Sequence, residues 1–367
     1  MFFERFFGIV RKEFTEFLRD KLYLTFIFVV PVMVMILLGY GLNLDVKNIP
    51  IAFLDYDRSR VSREYIDSFI NSEYFKLYKL VENYEEAEQL IRLGKIRALI
   101  VIPEDFSQKI YKGQKVEVQM LIDGTYPSRA EVIKGYLGTI NFLFNQKFLT
   151  FKSPMEVELR AWYNPGLESK NFIMPGMLVT TLCFYPVLLG CLVIVREKEL
   201  GSIFNFYCSP AKSWEIILAK AFPYTIVSFF TYLILFFITV IIFKTKFIGN
   251  FWILSLASFF YISCTVGLGL LISTFTKTQI SAMLIAFITT VVPSYLYSGF
   301  LYPVSSMELS GQIISKFIPA TYFLGVVRGI YLKEASLGFY GKDLLSLLIY
   351  TLVVYTLAII RLVKRIS

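Results

Sequence analysis

Six long apolar stretches constrain this chain more than any other feature of its sequence. They cover residues 22–42, 172–195, 214–243, 251–274, 279–299 and 344–360. A helix needs about 20 apolar residues to cross the hydrocarbon core of a bilayer, and most of these stretches reach that length. With 56% hydrophobic residues and a mean hydropathy of +0.60, the chain has more apolar surface than a soluble fold of 367 residues buries. The sequence therefore predicts an α-helical polytopic membrane protein with six transmembrane helices.

Basic residues lie beside the apolar stretches and predict the orientation. Residues 1–21 repeat phenylalanines at helical spacing with arginines and lysines between them, which predicts an amphipathic cytoplasmic interfacial helix. Five basic residues precede the first span at 22–42, so its N-terminus is expected inside. Six spans then place both termini on the cytoplasmic side of the cell (inner) membrane. The same distribution explains the net charge of +9 better than nucleic-acid binding does.

Residues 43–170 form a region of a different kind, in which charges are frequent and no apolar stretch is long enough to cross a bilayer. Alternation of apolar and polar residues predicts short strands, with helical patterns between them. The predicted strands are 49–54, 75–80, 97–102 and 116–122. We therefore predict an extracytoplasmic α/β domain inserted between the first and second spans. The remaining residues, 171–367, are expected to form a five-helix transmembrane region.

No residue pattern indicates a metal site, a catalytic site or a cofactor bound by this chain. Acidic residues at the strand ends and turns of the outer region are Asp55, Asp57, Asp123 and Glu131. Turns collect such residues for conformational reasons alone. Histidine is absent and the four cysteines form no close pair, which argues against a zinc site. The chain also lacks the Gly-x-x-x-x-Gly-Lys loop that holds the phosphates of ATP.

The segment 196–210 interrupts the apolar stretches with a charged and then aromatic sequence. Its four ionisable residues, 196–199, would each cost about 2.5 to 3.5 kcal/mol at a bilayer centre, which predicts a short intracellular loop. Gly201 and Ser202 then predict a new helix with Ser202 as its N-cap, and Pro210 is expected to end it. The exposed aromatic side chains of this helix indicate either an interfacial helix or a contact with a partner.

A resemblance to a known family is carried by Arg196, Glu197, Glu199, Gly201, Ser202 and Pro210, and by Trp162, Tyr163, Asn164 and Pro165 before the second span. These residues resemble the permease subunits of type-2 ABC exporters, in the multidrug-efflux-like subgroup with a large extracytoplasmic domain between the first two spans. The resemblance implies that segment 196–210 is the coupling helix that docks into a separate ATPase. Phe204 stands where the family usually has an acidic residue, which implies a more apolar docking contact.

The resemblance also implies the partners. Two ATPase subunits would bind ATP and Mg, a second permease copy or close paralogue would complete the complex, and such outer domains often meet a periplasmic adaptor. The residues themselves disfavour ion-driven transport, because the apolar centres of the spans lack ionisable side chains. Energy is therefore expected from the ATPase.

We interpret the chain as the permease subunit of an ATP-driven exporter. The alternative is a non-transporting receptor or scaffold that senses through its outer domain. An intramembrane enzyme is a third hypothesis, disfavoured because the spans offer no histidine and no carboxylate pair. A neighbouring gene for a P-loop ATPase would favour the exporter, and one for a histidine kinase would favour the receptor.

Phenol side chains within or near the spans predict the class of substrate. The candidates for a substrate path are Tyr185, Tyr232, Tyr295, Tyr297, Tyr302 and Tyr322. Such a wall suits an amphipathic or hydrophobic molecule, drug-like or lipid-like, moved out of the cytoplasm or inner leaflet. Tyrosines at span ends also serve as ordinary interfacial anchors, so that reading stays open. Prolines and glycines break residues 300–342 into short pieces, which predicts an outer re-entrant loop.

Overall fold

The computed structural model describes residues 2–41, 48–125, 127–147, 168–333 and 337–362. The chain divides into two compact units, residues 44–160 and the remainder, and each is described by itself. The Trp-Tyr-Asn-Pro stretch at 162–165 lies outside the described residues, as do the junctions at 42–47 and 148–167.

The N-terminal helix α1 (Phe2–Arg19) has the amphipathic character that its sequence predicts. Phe17 is buried, and its ring meets the ring of Tyr224 edge to face at 6.0 Å. Phe3 and Phe7 remain exposed on another side of the helix. Exposed aromatic rings beside basic residues suit a helix that lies in a membrane interface.

The first predicted span is a continuous helical segment made of α2 (Lys21–Leu24), a π-helical turn (Thr25–Val29) and α3 (Val30–Gly41). The wide turn ends two residues before Pro31, which lacks an N–H and would clash with the carbonyl of Ile27 in a regular α-helix. The hydroxyl of Thr231, from a neighbouring helix, donates to that carbonyl at 3.1 Å. The neighbour therefore satisfies the group that proline leaves unpaired.

The unit at 44–160 is an α/β fold with a four-stranded sheet. Its strands are β1 (Ile49–Asp55), β2 (Phe75–Leu80), β3 (Ala98–Ile102) and β4 (Gln119–Ile122). Its helices are α4 (Arg60–Ile70), α5 (Tyr84–Arg92), α6 (Phe106–Tyr111) and α7 (Pro127–Gln146). The strand order is β2-β1-β3-β4, in which β1 pairs parallel with β2 and β3 while β4 runs antiparallel to β3. Each predicted strand appears, with ends that differ by up to three residues.

The second unit continues after the outer region with the remaining helices. They are α8 (Ser169–Glu199), α9 (Ile203–Cys208), α10 (Ser213–Phe237) with a π-helical turn (Ile238–Ile242), α11 (Phe251–Phe275), α12 (Gln279–Leu296), α13 (Leu309–Ser315), α14 (Pro319–Lys333) and α15 (Leu337–Arg361). A 3₁₀ turn at Val304–Ser306 precedes α13.

Five described helices are long and apolar enough to cross a membrane: α8, α10, α11, α12 and α15. The apolar segment Thr25–Gly41 of the first predicted span is shorter than these. The pair α13 and α14 is bent by 84°, which is the geometry of a broken span or a re-entrant loop. The chain is thus a mainly helical polytopic membrane protein.

Helix α8 forms the centre of this unit, because 94% of its most apolar stretch is buried. A Cβ added at Gly190 would lie 2.5 Å from the carbonyl oxygen of Val266, and one at Gly269 would lie 2.3 Å from that of Val187. These two glycines therefore let the backbones of α8 and α11 approach closely, as small residues do between membrane helices. In helices α12 and α15, by contrast, only 22% of the most apolar stretch is buried.

Candidate functional site

The charged residues 196–199 form the last turn of α8 and are not the loop that their charge predicts. The helix ends at Glu199, and Gly201 follows with φ +73°, a left-handed conformation that favours glycine. Cations are stabilised at a helix C-terminus by the helix dipole, so Arg196 and Lys198 suit this position. We call residues 196–199 the charged tetrad.

Arg196 fastens the end of α8 to the junction between α1 and α2. Its Nη1 donates to Asp20 Oδ2 at 2.7 Å, and its guanidinium lies 5.2 Å from the centre of the Tyr23 ring. A charge-assisted hydrogen bond with a cation–π contact holds the arginine more firmly than either contact alone.

Glu197 is only 5% exposed, and each of its oxygens meets a lysine. Lys12 Nζ donates to Oε1 at 2.6 Å, and Lys220 Nζ lies 2.9 Å from Oε2 as an ion pair without hydrogen-bond geometry. Lys220 is fully buried and donates to Glu13 Oε1 at 2.6 Å, while the Tyr224 hydroxyl donates to Glu13 Oε2 at 3.2 Å. Buried ions are costly unless paired, and here two cations face two carboxylates. We call Lys12, Glu13, Glu197 and Lys220 the charge cluster.

Phe206 of α9 lies against this cluster. Its ring centre is 5.0 Å from Lys12 Nζ and 4.6 Å from Lys220 Nζ, which are cation–π distances. Burial would lower the pKa of Lys12, but the hydrogen bond to Glu197 and the neighbouring carboxylates outweigh burial and raise that pKa. Lys12 therefore stays charged at neutral pH, and Phe206 attaches α9 to α1 and α10 through cation–π contacts.

Lys198 and Glu199 reach the two helices on the other side of α8. Lys198 Nζ donates to three carbonyls at the C-terminus of α11, those of Ser273, Thr274 and Thr276, at 2.6, 3.0 and 3.0 Å. Glu199 accepts from the backbone N–H of Gln279 at 2.7 Å and from its side-chain amide, at the N-terminus of α12. A cation thus caps a helix C-terminus and an anion caps a helix N-terminus, as the two helix dipoles favour.

Helix α9 presents apolar side chains outward. Phe204 is 54% exposed and Leu200, just before it, is 71% exposed. Ser202 occupies the predicted N-cap position of α9, but its hydroxyl makes no capping hydrogen bond. Arg5 Nη1 donates to the Pro210 carbonyl at 3.0 Å and braces the far end of the segment. Each side chain of the charged tetrad has a partner within the chain, and the exposed side chains of α9 are those of Phe204, Asn205 and Cys208.

The six tyrosines predicted to line a substrate path have different environments. Tyr185 and Tyr232 are buried, and the Tyr232 hydroxyl lies 3.2 Å from Ser255 Oγ. The other four are Tyr295, Tyr297 and Tyr322, which are half-buried, and Tyr302, which is 66% exposed. Their role in a substrate path stays a prediction.

The aspartates of the outer unit serve its turns. Asp55 accepts from two N–H groups of the residues that follow it, and Asp57 accepts from the N–H and hydroxyl at the start of α6. Asp123 accepts from Thr125 and pairs with Arg97, and these contacts lower the pKa of Asp123 to about 2. Among the residues that the structure describes, no group of three or more His, Cys, Asp or Glu could hold a metal ion.

Sequence reasoning missed Glu13 and Lys220. Lys220 lies in the second turn of α10, outside the apolar centre of that span, and its side chain is fully buried. A signal was available, because Glu13 stands on the same face of α1 as the buried Phe17, where an isolated carboxylate requires a buried cation.

A family model described as "ABC-2 family transporter protein" matches residues 21–360. Two relatives from Escherichia coli (strain K12) are each named probable multidrug ABC transporter permease. YbhR is 29% identical over 95% of this chain and 95% of its own length, and YbhS is 28% identical over 88% and 86%. The inner membrane transport permease YhhJ of the same organism is 24% identical over 98% of this chain and 97% of its own length.

Proposed function

The chain belongs to the ABC-2 family of transporter proteins as the permease subunit of an ABC exporter, and from this premise we propose that segment 196–210 transmits the work of ATP hydrolysis to the membrane helices. The observation that carries the proposal is the set of partners of the charged tetrad. Its four side chains reach the α1–α2 junction, the charge cluster, the end of α11 and the start of α12. A displacement of α9 is therefore passed through α8 to five other helices, α1, α2, α10, α11 and α12.

The free-energy cost of breaking the buried ion pairs supports the proposal that these helices move together. Removing one partner of a buried ion pair costs about 3–5 kcal/mol, so the helices follow Glu197 more readily than they let it separate from Lys220. The ATPase partner docks on the apolar side of α9, at Phe204 and Leu200, because these side chains are exposed while the charges are already paired. ATP and Mg are bound by that partner chain.

The proposed topology places both termini and the charged tetrad in the cytoplasm. The unit at 44–160 and the bent pair α13 and α14 then lie outside, with the pair as a re-entrant loop. The basic residues of α1 and α8 support this orientation, since positive charge accumulates on the cytoplasmic side. The proposed working complex contains two ATPase chains and two permease chains, the second permease being another copy of this chain or a close paralogue.

The proposed substrate is an amphipathic or hydrophobic molecule, drug-like or lipid-like, taken from the cytoplasm or the inner leaflet. The relatives named as multidrug permeases support this class. The apolar spans with phenol groups at Tyr295, Tyr297 and Tyr302 are chemically suited to it.

The test is reconstitution of the chain with its ATPase in liposomes, with the ATPase alone as control. Hydrophobic drugs or lipids are expected to stimulate ATP hydrolysis only when the permease is present. Stimulation by soluble oligosaccharides alone would overturn the substrate class, and no stimulation by any compound would overturn the proposed coupling of this chain to the ATPase.

A further inference from the structure

Two clefts meet at the cytoplasmic end of the helical unit, and they share one wall. The polar cleft has a volume of about 890 Å³ and is lined by charged residues of α1 and the tetrad. The apolar cleft, about 270 Å³, is lined by Phe26, Leu188, Leu192 and Met283 among others. Asp20, Tyr23 and Arg196 line both. The polar cleft alone falls within the range of about 300–1,000 Å³ that is usual for pockets that hold drug-sized molecules.

The lining changes from charged residues in one cleft to apolar residues in the other. This change matches the change from lipid head groups to acyl chains at a membrane surface. Charged side chains cannot lie in hydrocarbon without a large cost, so the wall at Asp20 and Arg196 marks the level of the lipid head groups. The apolar cleft begins on the other side of this wall and is formed by membrane helices, which is the level of acyl chains. An occupant with one polar end and one apolar end therefore fits across the wall.

The charges of the polar cleft select the sign of that polar end. The charge cluster is neutral, because its two lysines face its two glutamates. The remaining cations at the polar cleft are Arg19, Lys21 and Arg196, and the remaining carboxylates are Glu16 and Asp20. Glu16 lies 3.4 Å from Lys12, whose charge is already counted in the cluster, and Asp20 pairs with Arg196, so the five remaining residues together carry one net positive charge. Within the described ranges, Arg19 and Lys21 have no carboxylate partner, and both are exposed.

We propose that these two clefts bind an amphiphile of the inner leaflet with an anionic head group, a phosphate or a carboxylate. The head group contacts Arg19, Lys21 and the outer edge of Arg196, and the apolar chain lies against Met283 and Leu192. Basic pockets between membrane helices on the cytoplasmic side bind anionic lipid head groups by the same physics. As a loading site for export the proposal rests on the proposed function, whereas the binding itself does not.

The test uses the full chain purified in dodecyl maltoside, without the ATPase, so that a failure of export leaves the binding result intact. Tail-labelled fluorescent phosphatidylglycerol is titrated against the matched phosphatidylcholine. We expect phosphatidylglycerol to bind at least tenfold more tightly. The double variant Arg19→Gln with Lys21→Gln reduces this preference to less than twofold, and Lys277→Gln, an exposed lysine elsewhere on the cytoplasmic side, leaves it unchanged.

Met283→Trp fills the apolar cleft and weakens the binding of both lipids. The matched control is Ile280→Trp, on the same helix, where the natural side chain is 73% exposed. Melting temperatures of all variants verify that they are folded. Dodecyl phosphate and dodecanoate are then used as competitors to identify the preferred head group, and inorganic phosphate as the soluble anion. Equal affinity for the two lipids, unchanged binding in the double variant, or displacement by inorganic phosphate as effective as by dodecyl phosphate would each overturn the proposal.

Discussion

Lys220 Nζ lies 2.6 Å from Glu13 Oε1, although the two residues are separated by most of the chain and both side chains are buried. The ion pair joins the N-terminal helix α1 to α10. Glu197 meets the same lysine from α8, so one buried cation connects three helices that are distant in sequence. This junction lies directly behind Phe206 of α9.

Removal of the buried cation is expected to destabilise the helical unit. Lys220→Met leaves Glu13 and Glu197 buried with one cation between them, which costs about 3–5 kcal/mol. The melting temperature of the purified permease should fall clearly, and Glu13→Gln added to Lys220→Met should recover part of the loss. Lys277→Met, at an exposed position, is the control. An unchanged melting temperature would show that the charge cluster does not contribute to the stability of the fold.

Substitution on α9 should affect docking and not folding. Phe204→Ala removes a ring that is 54% exposed, so the melting temperature of the permease stays the same. The affinity for the ATPase should fall about tenfold or more, since a docked aromatic anchor is worth about 2 kcal/mol or more. Phe7→Ala, which removes a ring 58% exposed on α1, is the matched control. Equal affinities of the two variants, measured by titration, would contradict docking at α9.

Reversing the two helix caps that the tetrad makes should uncouple ATP hydrolysis from transport. Exchanging the two charges, Lys198→Glu with Glu199→Lys, places each charge at the helix end that repels it. We expect the complex to assemble and hydrolyse ATP while transport per ATP falls several-fold, because α11 and α12 no longer follow α8. Transport and hydrolysis are measured in the same liposomes. A normal ratio would show that these two contacts carry no motion.

Acid should weaken one turn of the outer unit. Asp123 has a pKa lowered to about 2 by Thr125 and Arg97, against about 3.9 in an unfolded chain. Its contribution is therefore complete above about pH 4 and is lost as the pH falls toward 2. Hydrogen exchange at β4 should speed up in Asp123→Asn at pH 7, and the difference from the natural chain should disappear near pH 2. A difference that is independent of pH would contradict this assignment.

The native cysteines offer a test of topology. Cys183, Cys191 and Cys264 are buried and Cys208 of α9 is exposed. In cells that lack the ATPase, an impermeant maleimide should leave spheroplasts unlabelled and should label inside-out vesicles, and Cys208→Ser should abolish the labelling. Tyr111→Cys in that background should react in spheroplasts, because Tyr111 is 74% exposed in the outer unit. The reverse pattern would invert the proposed orientation.

Local patterns were sufficient for the elements. Strand alternation predicted β2 with the ends that the structure has, and apolar length predicted the five long apolar helices, because both depend on neighbours within one element. Charge predicted a loop at 196–199 where the structure has the last turn of α8. The four charges predict a segment outside the hydrocarbon, but a helix can continue beyond the hydrocarbon before it ends. Only the structure shows where that helix ends.

The sequence by itself determined that this is a membrane protein with an α/β insertion and a charged segment between two apolar stretches, since hydrophobic length and periodicity are properties of consecutive residues. Only the tertiary structure decided which charges meet. Lys12 and Lys220 each reach Glu197 across large separations in sequence, and such pairs depend on how helices pack. A buried charge requires a partner for electrostatic reasons, but which residue becomes that partner is decided by the geometry of the fold.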